Sequence, residues 1–168
     1  MTLATADGAG RVSARVVLLK GVGADGFRFY TNYESLKGEQ LAAHPQVALC
    51  FHWKVLREQV QVRIEGTVAK VPDADSDAYF ITRARGSQIG AWASLQSQAL
   101  PDRETFEQRV AEFERRFEGG PVPRPPHWGG YVVWPDRIEF WYGARYRLHE
   151  RVTYVREGEA WRKGMLYP

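Results

Sequence analysis

The sequence predicts an α+β fold, mainly antiparallel β, arranged as a closed or partly closed barrel with peripheral helices. Three observations predict it. Short strand-like runs bounded by turn signals fill both the first and the last third of the chain. Three segments between residues 33 and 117 read as helices instead. A sheet of so many antiparallel strands exposes costly edges unless it closes on itself.

The elements follow in order. Residues 1–6 and 12–22 flank Asp7-Gly8-Ala9-Gly10, a hairpin turn signal. Phe27 to Thr31 follows Asp25-Gly26 as a further strand, and residues 46–53 form a short apolar one. Residues 58–71 alternate, with Val60, Val62 and Ile64 on one face and Gln59, Gln61 and Arg63 on the other. The spacing predicts helices over residues 33–43, which stop before His44-Pro45, and over residues 73–84. The third helix is the clearest: Phe106, Val110, Phe113 and Phe117 recur at helical spacing, Asp102 caps the start and Gly119-Gly120 ends it. Prolines from 121 to 126 lead into strands at 129–134, 137–142, 146–155 and 159–163.

The 168 residues, 44% of them apolar, are enough for one domain with a real core, taken as residues 1–168. The net charge of +3 and pI near 9.1 favour anionic partners. The basic residues are interspersed with acids, as in Glu112-Phe113-Glu114-Arg115-Arg116, so nucleic acid is not an expected partner. No run is long and apolar enough for a membrane span, and no leader pattern opens the chain. The lone Cys50, in an apolar run, reads as a small hydrophobe and suits a reducing, cytoplasmic setting. His44, His52, His127 and His149 lack metal-ligand spacing, and no phosphate loop, dinucleotide fingerprint or nucleophile elbow is present.

Four groups of residues can carry chemistry. Tyr79, Arg83 and Ser87 lie four apart; on one continuing helix they make either a phosphate cradle or an ordinary solvated face. Gly86 weighs against that continuity. Ser35 and Lys37 stand where a strand gives way to a helix, which suits a bound phosphate or a plain N-cap. Arg147, His149 and Arg151 share one face of a strand and need an anion, either Glu139 or Asp136 of the chain or a ligand. Arg15 and Lys20 bracket an apolar run that reads as a buried strand with charged ends. Their odd separation puts them on opposite faces of a regular strand, so a joint role needs a bulge, a strand end or a second subunit.

Taken in order, several words of this sequence resemble the pyridoxamine 5'-phosphate oxidase family. They are Arg15-Val-Val-Leu-Leu-Lys20, Phe29-Tyr-Thr-Asn32, Arg83-Ala-Arg-Gly-Ser-Gln-Ile-Gly-Ala-Trp92, Gln96-Ser97, Trp128-Gly-Gly130, Ile138-Glu-Phe-Trp141 and Arg147-Leu-His-Glu-Arg151. The resemblance implies an FMN-binding split β-barrel, a homodimer with FMN at the subunit interface, and oxidation of pyridoxamine or pyridoxine 5'-phosphate to pyridoxal 5'-phosphate. It implies FMN contacts at Arg15, Lys20, Tyr30, Thr31, Ser35, Lys37, Gln59, Gln96, Ser97, Trp141 and Arg151. Lys20, Tyr79, Arg83 and Ser87 would hold the substrate phosphate, and Arg147 and His149 would flank the pyridine ring as the catalytic pair. The implied chemistry is hydride loss from the substrate's C4' carbon to the flavin, with dioxygen as the final acceptor and hydrogen peroxide as its product. A different split-barrel flavin reductase, or a noncatalytic carrier of FMN or pyridoxal 5'-phosphate, would share the fold without needing both substrate sets.

Two departures from the family pattern carry expectations. Family members have a substantial segment before the first barrel strand that helps to cover the substrate; here Met1 lies almost at that strand, so a wetter site is expected. Leu36 stands between Ser35 and Lys37 where the family often has arginine, so FMN is expected to bind more weakly. Leu36→Arg should therefore tighten FMN in a fluorescence titration; an unchanged or poorer affinity would refute the missing-contact argument.

Overall fold

The structure is a computed structural model that describes residues 1–56 and 59–168. Nine strands form one sheet: β1 (Thr2–Ala6), β2 (Val12–Val16), β3 (Gly21–Gly23), β4 (Gly26–Asn32), β5 (Gln46–Trp53), β6 (Val60–Lys70), β7 (Trp128–Tyr142), β8 (Glu150–Glu157) and β9 (Ala160–Leu166). The order is β2-β1-β5-β6-β7-β4-β3, and β8 pairs with β7 and with β9. The helices are α1 (Leu36–Ala43), α2 (Asp73–Ile81), α3 (Arg85–Ala93) and α4 (Arg103–Arg116). This is the α+β, mainly antiparallel class that the sequence predicts. The chain divides into two compact units, one of residues 1–29, 40–69 and 132–168, the other of residues 30–39 and 70–131.

In the first unit, β5 and β6 pair antiparallel with Leu49 opposite Ile64 and Val47 opposite Gly66. The predicted alternation of β6 holds: Val62, Ile64 and Val68 are buried and Arg63 is exposed. Residue 58, the first of the predicted strand, lies outside the described residues. Burying each such aliphatic side chain contributes about 1.5–3 kcal/mol. The first hairpin also forms as read. Asp7 Oδ1 accepts from the Ala9 and Arg11 N–H groups across the turn, and these bonds hold the Asp7 carboxyl below its usual range. The β8–β9 loop is Gly158-Glu159, with Glu157 opposite Ala160 and Gly158 at φ 63°, a conformation glycine adopts without strain.

Three strand expectations are corrected. The run predicted at 12–22 breaks at Val16 and resumes at Gly21. Its stretch from Arg15 to Lys20, read as buried, is not: Val16 is 77% and Leu18 68% exposed, and among the described residues β2 stands at the end of the sheet order, beside β1. The strands read at 129–134 and 137–142 are one strand; Pro135 costs no ladder bond to β8, because that pairing begins at Arg137. The strand read from 146 begins only at Glu150, since residues 145–147 form a 3-10 turn with Tyr146 and Arg147 at positive φ.

In the second unit, α4 is as predicted, with Asp102 accepting from Thr105 N at 2.7 Å. Phe113 is buried and Phe106, Val110 and Phe117 pack on the same cluster with Phe80, Ile89, Val122 and Trp128. The helix expected to run from 73 to 84 stops at Ile81, and a separate α3, absent from the sequence reading, starts at Arg85. Ala84 between them is extended, at ψ 140°. The break is held by Gln88, whose buried amide donates to the Phe80 and Ile81 carbonyls at 3.0 and 3.4 Å and so satisfies the end of α2.

Gly66 permits a close backbone approach in the first unit: a Cβ there would lie 2.0 Å from the Trp134 carbonyl oxygen. Gly66→Ala should cost about 1–3 kcal/mol. The check is a lower urea midpoint with an unchanged slope.

Candidate active site

In the second unit the end of β4 and the start of α1 gather one set of polar side chains. Ser35 is fully buried; its hydroxyl donates to the Asn32 carbonyl at 2.7 Å and accepts from the Gly38 N–H at 3.3 Å, so it caps α1. Lys37 Nζ donates to Ser35 Oγ at 3.1 Å and to Gln96 Oε1 at 2.6 Å. Thr31 Oγ1 reaches the same Gln96 oxygen at 3.4 Å. Thr31, Ser35, Lys37 and Gln96 are therefore together, 65 residues apart at most, and Ser97 follows directly with φ 74°. Leu36, between Ser35 and Lys37, is half-exposed at the first position of α1.

A second set in this unit is aromatic. The rings of Tyr30 and Tyr79 stack at 3.9 Å, and Tyr30 stacks on Trp128 at 5.6 Å. The Arg83 guanidinium lies over Trp128, 4.5 Å from its ring centre. Its Nη1 is buried without a hydrogen-bond partner, and burial holds the Arg83 pKa below its ordinary value. The structure thus brings Tyr79 and Arg83 together. It does so through the turn between α2 and α3 and not along one helix face, which corrects the predicted stack. Ser87 is exposed in the first turn of α3, where its N–H donates to the Ala84 carbonyl.

In the first unit, Arg15 extends from β2 across β1. Its Nη1 donates to Thr5 Oγ1 at 2.6 Å, and its Nη2 donates to Ser13 Oγ and, at 3.3 Å, to Gln40 Oε1. Gln40 was not singled out from sequence, because a single glutamine inside a helix carries no pattern; here its buried oxygen also accepts from Thr5 and Ser13. Lys20 is exposed in the link between β2 and β3, so Arg15 and Lys20 do not share a regular strand and strand alternation does not set their faces.

Gln59, Trp141 and His149 line one cavity of about 490 Å³ together with Gly143, Ala144 and Arg145. The rings of Trp141 and His149 are 4.5 Å apart. His149 Nδ1 accepts from the Ala144 N–H at 3.1 Å, which assigns the proton of a neutral ring to Nε2. Arg147 is exposed in the 3-10 turn, so the expected shared strand face of Arg147, His149 and Arg151 does not form. Arg151 instead donates to Glu139 Oε1 at 2.8 Å, the internal anion offered by the sequence, and to the Tyr167 carbonyl at 3.1 Å. Glu139 also meets Arg63 at 3.5 Å. Four non-glycine residues have positive φ among the described residues; three of them, Gln59, Ser97 and Arg147, are candidate site positions. Backbone strain of this kind concentrates at functional sites.

The mainly antiparallel sheet with its four helices places the chain in the split-barrel class. The solved structure of PhzG from Burkholderia lata, in complex with tetrahydrophenazine-1-carboxylic acid, is similar over 99% of this chain and 81% of its own, with a TM-score of 0.92 and 32% identity. A pyridoxamine 5'-phosphate oxidase-related, FMN binding protein from Nostoc punctiforme shares the fold at a TM-score of 0.77 and 18% identity, over 99% of this chain and 87% of its own. Residues 1–117 match the sequence model of pyridoxamine 5'-phosphate oxidase, and residues 128–168 that of the pyridoxine 5'-phosphate oxidase C-terminal dimerisation region. Pyridoxine/pyridoxamine 5'-phosphate oxidases of Myxococcus xanthus and Sphingopyxis alaskensis are 61% and 60% identical over the whole chain, covering 81% and 77% of their own lengths. The chain belongs to the pyridoxamine 5'-phosphate oxidase family.

Glu139 gives a pH test of the first unit. The Arg151 hydrogen bond, aided by the charges of Arg151, Arg63 and Arg137, holds its carboxyl below the ordinary value of 4.5. A lowered folded pKa means the gain is complete above that value and lost as pH falls through the folded one. Glu139→Gln should cost about 1–3 kcal/mol at pH 7. Denaturation midpoints of the two proteins should converge as pH drops below 4.5.

Proposed function

We propose that the chain oxidises pyridoxamine 5'-phosphate or pyridoxine 5'-phosphate to pyridoxal 5'-phosphate with FMN, using dioxygen and releasing hydrogen peroxide, as a homodimer with FMN at its interface. The observation that carries the reading is Arg83: a half-buried cation with an unpartnered N–H beside Tyr79, and no carboxylate partner among the described residues. Buried donors of this kind are almost always answered, and a phosphate monoester answers them with charge and several acceptor oxygens. Ser87 and Lys20 would add donors to that phosphate.

The residue chemistry also suits FMN. Ser35, Lys37, Thr31, Gln96, Ser97 and Tyr30 of the second unit would hold it, with the donors at the start of α1 suited to a phosphate. Arg15, Lys20, Gln59, Trp141 and Arg151 of the first unit would do the same. When bound, FMN supplies the hydride acceptor, and the chain supplies position. His149, with Nδ1 occupied by Ala144, presents Nε2–H as a donor to a ring substituent, so its role is orientation and not proton removal. Arg147 would sit by the pyridine ring and stabilise charge that develops as the hydride leaves. Holding the phosphate far from C4' fixes the reacting carbon against the acceptor, which is a proximity effect.

A second reading rests on the likeness to PhzG: oxidation of a reduced polycyclic carboxylic acid. The relatives at about 60% identity favour the vitamin B6 phosphates. Anaerobic addition of pyridoxamine 5'-phosphate to the FMN-loaded protein separates these readings. Bleaching of the visible flavin band that recovers in air, with pyridoxal 5'-phosphate formed, is the expected result. Flavin that stays oxidised with both the amine and the alcohol phosphate would overturn the proposal in favour of another substrate or a carrier. Arg83→Ala should raise KM about tenfold or more, the value of a charged hydrogen bond, with kcat little changed.

A further inference from the structure

The word Trp128-Gly129-Gly130 has no role in the chemistry above, yet Trp128 belongs to the aromatic set beside Arg83 and Gly130 adjoins its Tyr30. Trp128 is buried at the start of β7, with its main chain fixed at both ends. Its N–H donates to the Pro125 carbonyl at 3.1 Å, and its carbonyl accepts from Arg124 Nη1 at 2.7 Å. Arg124 is itself held by Asp73 and Asp77 of α2. Phe80 packs edge-on against the indole at 5.1 Å. The indole therefore has little freedom to turn.

The two glycines set what can lie against the strand. A Cβ on Gly130 would stand 2.7 Å from the Tyr30 ring and 2.6 Å from Val71 Cγ2. A Cβ on Gly129 would stand 2.0 Å from the Tyr33 hydroxyl oxygen. Both contacts are far shorter than van der Waals distance. Only glycine at 130 lets Tyr30 pack against this strand, where its ring stacks on Tyr79 and on Trp128 with planes 20° and 13° apart, and the Tyr79 and Trp128 ring centres lie 6.2 Å from each other. The Arg83 guanidinium adjoins this stacked group, 4.5 Å over the indole and 5.5 Å from the Phe80 ring centre. A guanidinium lying over an aromatic face keeps its edge N–H groups for hydrogen bonds while its flat face is desolvated at little cost. That is the state observed: one edge nitrogen is buried and unanswered.

We propose that Trp128 is a positioning residue for substrate-phosphate recognition, an aromatic platform that fixes the Arg83 guanidinium, and that Gly130 is required because it seats Tyr30 within the same stack. The inference rests on the reading that Arg83 holds the substrate phosphate. Trp128 touches neither phosphate nor flavin in this account. Its removal frees the guanidinium to turn and hydrate, so the loss falls on phosphate affinity and spares the reacting carbon.

The test uses the FMN-loaded enzyme with pyridoxamine 5'-phosphate as substrate and inorganic phosphate as a competing inhibitor. Trp128→Leu should raise KM and the phosphate inhibition constant together by about three- to thirtyfold, the range of a buried cation–π contact, with kcat and FMN affinity unchanged. Trp128→Phe keeps a ring under Arg83 and should recover most of the loss. Gly130→Ala should raise KM and the phosphate inhibition constant in milder form and, because it displaces Tyr30, weaken FMN as well. Arg83→Ala is the control: if it leaves KM unchanged, the phosphate role of Arg83 fails and the inference fails with it. If Arg83→Ala raises KM but Trp128→Leu does not, Trp128 is only core and the inference alone is overturned. An equal fall in kcat or FMN affinity in Trp128→Leu would also overturn it, as would a Trp128→Phe enzyme no better than the Leu variant. If Trp128→Leu does not fold, the decision rests on Trp128→Phe in the Arg83 and Arg83→Ala backgrounds: KM effects that simply multiply would refute the platform.

Discussion

Burying part of a guanidinium obliges the fold to answer each of its N–H groups, and this constraint organises both units of the chain. Arg15 is answered by two hydroxyls and the Gln40 amide. Arg151 and Arg63 are answered by Glu139. Arg124 is answered by two aspartates and the Trp128 carbonyl. Each solution ties together segments far apart in sequence, so these arginines specify tertiary structure as well as carry charge. Arg83 is the exception: its surroundings are aromatic faces, which favour the cation without satisfying its edge. Arg137 also keeps a buried Nε without an acceptor, but Glu139 stands 4.0 Å from its Nη2 and supplies opposite charge.

How much of the fold could be read from sequence depended on whether a segment's pattern or its neighbours decide its conformation. β6 and α4 were legible because burial on one face imposes a strict period of two or 3.6 on the residue types. α3 was not, because Gly86 and Gly90 weaken its intrinsic preference and its start is fixed from outside, by the Gln88 amide on the carbonyls of α2. The run from Arg15 to Lys20 read as buried because it is apolar, but apolar residues also face outward, and among the described residues β2 stands at the end of the sheet order. Exposed Tyr142, Met165 and Leu166 lie in the stretch that matches the family's dimerisation region, where apolar exposure has a partner to meet.

The sequence proposed a set of site residues, and the arrangement it proposed for them is the part the structure corrects. Ordered words across nearly the whole chain contain Arg83, His149 and Arg151, and spacing added Tyr79. Spacing rules then placed them on one helix face and one strand face, and both placements fail. In each case the chain leaves regular structure where chemistry is expected: Ala84 is extended between two helices, and Tyr146 and Arg147 are left-handed before β8. Periodicity describes regular elements, so it cannot place residues that sit in the breaks between them. Gln40 shows the complementary limit: it holds a candidate arginine, yet nothing in a lone buried glutamine reveals which cation it will meet. Glu139 was one of the two internal anions the sequence offered, and the structure selects it for Arg151.

The same accounting divides the candidate cations by what they offer an incoming anion. Arg15 and Arg151 already have acceptors, so an anion that binds them shares donors that are in use and gains mainly from charge and fixed orientation. Arg83 has been stripped of water on its face and left with an open donor on its edge. A phosphate that reaches it replaces no internal hydrogen bond, and the full value of a charge-assisted bond goes to binding. On the proposed reading, affinity for a phosphorylated substrate would concentrate at Arg83, and hence at the rings that hold it. The cations with internal partners would set orientation more than affinity. This division suits a family in which the bound flavin carries the redox chemistry and the polypeptide is left to choose, hold and orient.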